Sequence, residues 1–459
     1  MRMSFPLAAV LAGFLLGAPG VHAADRDAVA ALIEKAAESH DRMRAAEAAA
    51  DGARNALRVS HGGWYPTVSV AVNGGREVTD KPSPQTRTDL NANQVSFRAT
   101  QLLWDFDATN ADVRRSQWNL IRSEVAIERT RQDLLIEGLS AYANLARAHN
   151  LLLYARQSEA NIQRQTGLEE VRLSEGFGQS TDVLQAKSQL AGAQARRVAA
   201  QEAMQNALNR FQAFYGHVEL ATDTRDVLAP PKAALPLTLD QAIDEARKHN
   251  PLLQELALST AAAKEGIESV RGRSLYPRVE GVVERNLKDN VTGQLGRQSE
   301  TVFKVQVTFA LNAGLTAVNT LRIAEAELRL ADATWADQER QVLETVRNSW
   351  SRLQSARLQA QLLRDQASLA EGFLEVARSE RELGTRSLID LLAGETTLIN
   401  ARSDALAAET EEVLAAYRLL SAIGQLEAGH IQTRALVERQ SPGARGSNAQ
   451  GRDRTGRAR

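Results

Sequence analysis

Residues that could do chemistry stand at a few places in this chain, and none completes a site. Gly176-Phe177-Gly178 could fold backbone N–H groups around a phosphate. A phosphate loop, however, follows a strand and carries a Lys, and neither is present, so a turn between two helices is the better reading by about tenfold. His61-Gly62-Gly63 is similar to an esterase oxyanion loop, yet no Gly-x-Ser-x-Gly nucleophile turn occurs. The 7 histidines are never spaced to make a helical metal pair. With 0 cysteines there is no disulfide, no thiolate metal site and no lipid-bearing cysteine. Trp118, Trp335 and Trp350 lie in helical stretches where core packing is the default. No active site, cofactor or metal is expected.

The elements that carry these residues occur twice. Trp104 to Gly216 lies on Asn312 to Gly424 without a gap. The copies pair Leu103 with Leu311, Tyr142 with Trp350, Leu145 with Leu353, Gly176 with Gly384, Asp182 with Asp390 and Gly216 with Gly424. Self-similarity over half a chain marks a duplication. Each copy reads as a long helix, a tight turn and a return helix. Apolar or small residues keep heptad spacing from Leu321 through Leu328, Trp335 and Val342, and the seam then shifts to Val346, Ser349, Leu353, Ala356, Ala360, Leu363, Ala367, Ala370, Leu374 and Ala377. Pro is absent from Asp107 to Asp182 and from Ala313 to Asp390, so nothing breaks the rods. Gly176 and Gly384 can take the left-handed conformation that ends a helix, and Ser180 or Thr181 can cap the next one. A rod of about 70 residues is roughly 100 Å long, too long for a compact domain.

Residues 1–23 read as a secretory signal: Arg2, an apolar run from Leu7 to Leu16, then Val21-His22-Ala23. The run is shorter than the about 20 residues a spanning helix needs. A formal charge of −1 gives no global case for nucleic acid. The first repeat, 24–216, opens with a helix from Ala28 to about Val59. Strands at about 64–74 and 92–103 follow, joined through a polar linker with Pro82 and Pro84, then a helical hairpin over 105–216. A connector at 217–237 holds Pro230-Pro231. The second repeat, 238–424, opens with a helix from Leu239 to about Arg271. Its strands lie at about 275–286 and 300–311 and its hairpin at 313–424, and Tyr276-Pro277 echoes Tyr65-Pro66. The polar tail at 425–459 is expected to be disordered.

Strands such as Phe303, Val305 and Val307, alternating with Lys304 and Gln306, have one apolar face. They could form a small soluble sheet or cross an outer membrane. Open edges are not tolerated in lipid, so a membrane sheet needs closure by several chains. Two copies would give eight strands and a filled interior, whereas three would give twelve and a lumen. A periplasmic coiled-coil adaptor or structural rod is the alternative from a different class.

The order of elements, the Tyr-Pro strand starts, Leu103-Trp-Asp-Phe-Asp107, and the tips Val171-Arg-Leu-Ser-Glu-Gly-Phe-Gly-Gln-Ser-Thr-Asp-Val-Leu184 and Glu382-Leu-Gly-Thr-Arg-Ser-Leu-Ile-Asp-Leu-Leu392 resemble the outer-membrane efflux, or TolC-like, family. The resemblance implies a mainly α fold with a β-barrel portion: a homotrimer with a 12-stranded outer-membrane barrel and a periplasmic helical barrel, in a Gram-negative cell. It implies a periplasmic adaptor and an inner-membrane transporter, expected to be ATP-driven, as partners, and outer-membrane lipid as surroundings. The tips Gly176, Phe177, Gly178, Gln179, Ser180, Gly384, Thr385 and Ser387 would dock the adaptor. Arg386 would tie the closed entrance to Thr181 and Asp182, and Asp390 would line the mouth. The sequence departs from the family pattern where Arg381 replaces a latch tyrosine and Ala393 replaces a second entrance aspartate. The lack of cysteine tilts the expected function toward the exit duct of type I protein secretion, with multidrug efflux as the alternative.

Overall fold

The computed structural model describes residues 24–82, 85–216, 226–309 and 314–435, so the expected signal lies outside the described residues. The elements run α1 (Ala24–Ser39), α2 (Asp41–Gly62), β1 (Thr67–Pro82), β2 (Gln85–Trp104), α3 (Ala108–Ser174), α4 (Ser180–Tyr215), β3 (Asp226–Ala229), α5 (Leu239–His249), α6 (Pro251–Leu275), β4 (Arg278–Asp289), β5 (Arg297–Thr308), α7 (Thr316–Glu382), α8 (Leu388–Ile423) and β6 (Gln432–Ala435). The repeats match in length: α3 and α7 each have 67 residues, and α4 and α8 each have 36. A helix of that length reaches about 100 Å.

The heptad seam holds each hairpin together. Val342, Val346, Leu353, Ala356, Ala360, Ala370, Leu374 and Ala377 are buried on α7, and the lower part of the seam packs on Leu391, Leu398 and Ala401 of α8. In the first repeat Ile162 of α3 meets Ala186 and Ala193 of α4, and Leu388 and Leu392 of α8 join them, linking the two hairpins. The frequent alanines let the backbones run close over the whole length.

The structure departs from the sequence reading in several places. Each opening helix is two helices. In the second repeat Asn250 caps α6, accepting from the N–H groups of Leu252 and Leu253 at 3.0 and 3.3 Å, and Pro251 sits at the first helical position. Proline cannot continue the preceding helix, so α5 stops there. In the first repeat His40 plays the same part through Nδ1, 3.1 Å from the N–H of Arg42. The β1–β2 hairpin also runs past the expected linker, with paired residues up to Pro82 and Gln85. Alternating Thr79, Thr86 and Thr88 suit a strand, although they lack the apolar face that marks one in a sequence. Finally, the connector holds β3 and the tail holds β6, which pair antiparallel through Leu228 and Thr433. Order therefore persists to Ala435.

The principal core is at mid-body, where the rods pass this small sheet. Ile33, Leu139, Tyr142, Phe211, Tyr215, Leu228, Val346, Leu353, Tyr417, Leu420 and Ile431 share one cluster. Gly424, at φ 79°, ends α8 where an added Cβ would collide with the carbonyl oxygen of His249. The Tyr417 hydroxyl lies 3.0 Å from the carbonyl of Ala229 and 3.2 Å from that of His430, and it accepts from the N–H of Gln432 at 3.1 Å. Burial pushes its pKa from 10.0 up to about 12. With the folded value above the unfolded one, this contribution is complete below pH 10.0 and is lost as pH rises toward 12. Tyr417→Phe should cost about 1–2 kcal/mol and flatten that alkaline loss, read by thermal melts of the detergent-held protein across this pH range.

The larger sheet has the order β1-β2-β4-β5, every neighbour antiparallel, with β2 and β4 joining the two repeats. One face carries Val68, Val70, Val72, Phe97, Val283, Phe303, Val305 and Val307, all exposed. The other carries Arg98 with its Nε 2.6 Å from Glu284, Lys304 3.2 Å from Glu284, and Lys288 2.8 Å from Glu300. At the helical end Phe106 stacks on Tyr276 at 4.8 Å and meets Trp104 edge-on at 6.0 Å. Aromatic girdles of this kind mark the membrane–water boundary of barrels.

Candidate functional site

The two turns stand at the ends of the rods away from the sheet. At the first, Gly176 takes φ 82°. The N–H of Phe177 returns to the carbonyl of Arg172 at 2.9 Å, and that of Gly176 to Leu173 at 3.1 Å. At the second, Gly384 takes φ 79°, and the N–H groups of Thr385 and Gly384 return to Glu380 and Arg381, both at 3.0 Å. These are the same paired-bond helix stop.

The helices that follow begin differently. Ser387 caps α8, accepting from the N–H of Asp390 at 3.2 Å. In α4 the capping position is Gln179, with no side-chain bond to the helix. Ser180 and Thr181 are already helical, so the expected cap is corrected, and the Thr181 hydroxyl lies 3.4 Å from the Gln179 side-chain oxygen. Gly178 has its own constraint: a Cβ there would sit 2.7 Å from the backbone nitrogen of Leu173. Phe177 and Leu383, 87% and 80% exposed, are left apolar and unburied at the extreme ends.

Gly178→Ala should therefore displace the tip backbone at about 1–3 kcal/mol, and Gly176→Val should add about 1 kcal/mol or more of left-handed strain. Export is expected to fall while barrel assembly, read as heat-modifiable gel migration, persists. Full export with normal expression would remove the tips from the mechanism.

Behind the turns, two carboxylates are buried between the hairpins. Glu169 of α3, 2% exposed, receives the Arg381 Nη2 of α7 at 2.6 Å and the Arg172 guanidinium at 2.9 Å. Glu395 of α8, 3% exposed, receives Arg378, with Asn161 of α3 at 3.4 Å. Arg381 also donates to the carbonyl of Arg386 at 3.1 Å, fixing the second turn. Arg164, Gln165 and Leu168 complete a cleft of about 320 Å³ around these groups. Arg381 thus makes an ion pair between the repeats.

Arg386 is held by its own hairpin. Its Nη1 is 2.9 Å from Glu380, its Nε is 3.6 Å from Asp390, and its guanidinium lies 5.0 Å above the Phe373 ring. Within one copy it does not meet Thr181 or Asp182, so a tie to that pair would join two copies. Asp390 stands half exposed in the first turn of α8 beside Arg386, and Asp182 occupies the matching turn of α4.

Glu169, Arg172, Arg378 and Glu395 were not singled out from the sequence. The signal was a carboxylate at buried seam spacing, after Ile162 and Thr166 in α3 and after Leu388 and Leu392 in α8.

The outer membrane efflux protein family model matches residues 32–217 and 242–425, one match for each repeat. The outer membrane efflux protein BepC of Brucella suis is 23% identical over 378 residues, covering 82% of this chain and 80% of that protein. TolC of Escherichia coli is 24% identical over 350 residues, covering 73% and 70%. The alkaline protease secretion protein AprF of Pseudomonas aeruginosa is 23% identical over 419 residues, covering 86% and 84%. The solved structure of the transmembrane channel CusC superposes with a TM-score of 0.75 at 17% identity, covering 87% of this chain and 92% of that one. With both repeats matched and the fold shared, the chain belongs to the outer membrane efflux protein family, a TolC-like channel of the Gram-negative outer membrane with a large periplasmic portion.

Proposed function

We propose that three copies close into one exit duct, and that the duct serves type I protein secretion together with a periplasmic adaptor and an ATP-driven inner-membrane transporter. The observation that carries the duct is the two-faced sheet: valines and phenylalanines outside, the Arg98–Glu284–Lys304 network inside, and open edges at β1 and β5. Edges left open in hydrocarbon cost several kcal/mol per unpaired group, so the sheet must close. Eight strands would pack the inner charges into a filled interior, whereas three four-stranded sheets leave room for water around them. The exposed Phe177 and Leu383 offer an adaptor apolar anchors at six tips per trimer, two from each chain.

The protein-secretion reading is supported by the similarity to AprF along most of both chains. The second reading, small-molecule efflux, is favoured by the equal identity to BepC. Deleting the gene in its own bacterium separates them. Loss of a large protein from the medium, with unchanged resistance to toxic small molecules, supports secretion. The reverse outcome supports efflux.

A further inference from the structure

The outward apolar face of the larger sheet is slanted, and the slant fixes how two copies must join. Val72 of β1 and Val95 of β2, which face each other, are the last outward aliphatics before Gly74, Arg76 and Asn93. On β4 the outward Arg285 interrupts the apolar face above Val283, with Leu287 isolated beyond it, and on β5 the last is Phe303, after which Thr301 and Ser299 follow outward. Phe303 lies in the row Val68, Ala99, Val283, Phe303. The upper margin thus falls from Val72 to the level of Val68, 72 − 68 = 4 residues, across the three spacings of the four-stranded sheet. At about 3.4 Å per residue and about 4.8 Å per strand this is a slope of about 43°. Membrane barrels tilt their strands by about 35–45°. The slanted margin is therefore the membrane plane, seen from strands tilted in it.

The plane must continue across the seam between copies, or the lipid boundary would step. One further spacing at the same slope lowers the margin by about one and a third residues. That brings Val72 of the next copy between Lys304 and Val305. Only Val305 shares its lipid-facing side, because a shift of one residue turns every side chain over.

We propose that β5 of one copy pairs antiparallel with β1 of the next in the register that sets Val72 opposite Val305. Val70 then faces Val307, and in the lumen Ala71 faces Gln306 and Asn73 faces Lys304. At the outer rim the same register sets Asp80 opposite Arg297, an opposite-charge cross-strand pair. Slipping by two residues either way would set Val78 or Pro82 against Arg297 instead. The inference rests on the trimeric duct and names the residues that close it.

The natural chain has 0 cysteines, so paired cysteines read the register without background. Directly opposite strand residues stand about 4.5–5.5 Å apart between Cα atoms, within disulfide reach, and residues two positions removed are beyond about 7 Å. The full chain in its native membrane would carry Ala71→Cys with Gln306→Cys, Lys304→Cys or Thr308→Cys in turn. A second series would pair Val72→Cys with Val305→Cys, Phe303→Cys or Val307→Cys. Mild oxidation followed by denaturing, non-reducing gels should give linked dimers and trimers at least about tenfold faster for Ala71 with Gln306 and for Val72 with Val305. Faster linking in a slipped pair overturns the register. No linking in any pair, with detergent-extracted mass still at three chains, overturns the pairing of these edges while sparing the trimer. A mass of one chain overturns the duct and the register together.

Discussion

Arg381→Ala is expected to raise the resting conductance of the reconstituted channel by at least about tenfold while leaving barrel assembly intact. The Arg381–Glu169 pair, 2.6 Å long, joins α7 to α3 and so ties the second hairpin to the first. Each hairpin has its own apolar seam, and between the shared mid-body core and the tips the two meet through the Leu388 and Leu392 patch, Arg402 over Tyr154, the Asn161–Glu395 hydrogen bond and the Arg381–Glu169 ion pair. Breaking a buried pair from one side costs about 3–5 kcal/mol in full. Here part of that is retained, because Arg172 still reaches Glu169. Arg172 sits on the same helix as Glu169, however, and cannot bridge the hairpins. A bias of only about 1.4 kcal/mol per copy shifts the closed state tenfold. Single-channel recording in planar bilayers reads this directly. Glu169→Gln should move conductance the same way and less, since an amide still accepts a hydrogen bond. Unchanged conductance in both variants would remove the pair from the gate.

The second large effect is on ion selectivity. Asp390 is half exposed in the first turn of α8, with the Arg386 guanidinium 3.6 Å away and itself bound to Glu380 at 2.9 Å. Three-fold closure brings three such sites to one opening, and a narrow mouth of like charges gathers counter-ions. Asp390→Ala is expected to lower cation selectivity several-fold and to relieve block by divalent cations, because Arg386 then dominates the local field. Arg386→Ser should do the opposite, freeing Asp390 and Glu380 together. Both effects should fade near 1 M salt, where the screening length is about 3 Å. Ala393, one turn further on, adds no charge to this site. Selectivity that ignores both substitutions would mean that Asp390 does not face the lumen.

The rods were legible because their signals are local and repeated. Heptad spacing, the absence of Pro, and Gly176 and Gly384 at matching places suffice for two long hairpins. Asn250-Pro251 was equally local, and its break in the opening helix follows from the missing proline N–H. The extended β1–β2 hairpin was hidden because Glu77, Thr79, Lys81 and Thr88 form a strand beyond the apolar band, where even the half-buried face is polar. The β3–β6 pair was hidden for another reason: its four-residue strands stand far apart in the chain and are held by Tyr417, Leu228 and Ile431 rather than by pattern. The entrance was legible only in part. Arg386 and Asp390 sit together, as a spacing of one helical turn allows. Arg381 and Glu169 lie 212 residues apart, and only the packing of one repeat on the other brings them into contact.

In the proposed duct a single chain supplies a third of a closed barrel. Light scattering of the detergent-extracted native protein, with the detergent's share subtracted, measures this most directly. A mass of three chains is expected, with no stable smaller species before denaturation. A monodisperse, folded single chain would contradict it.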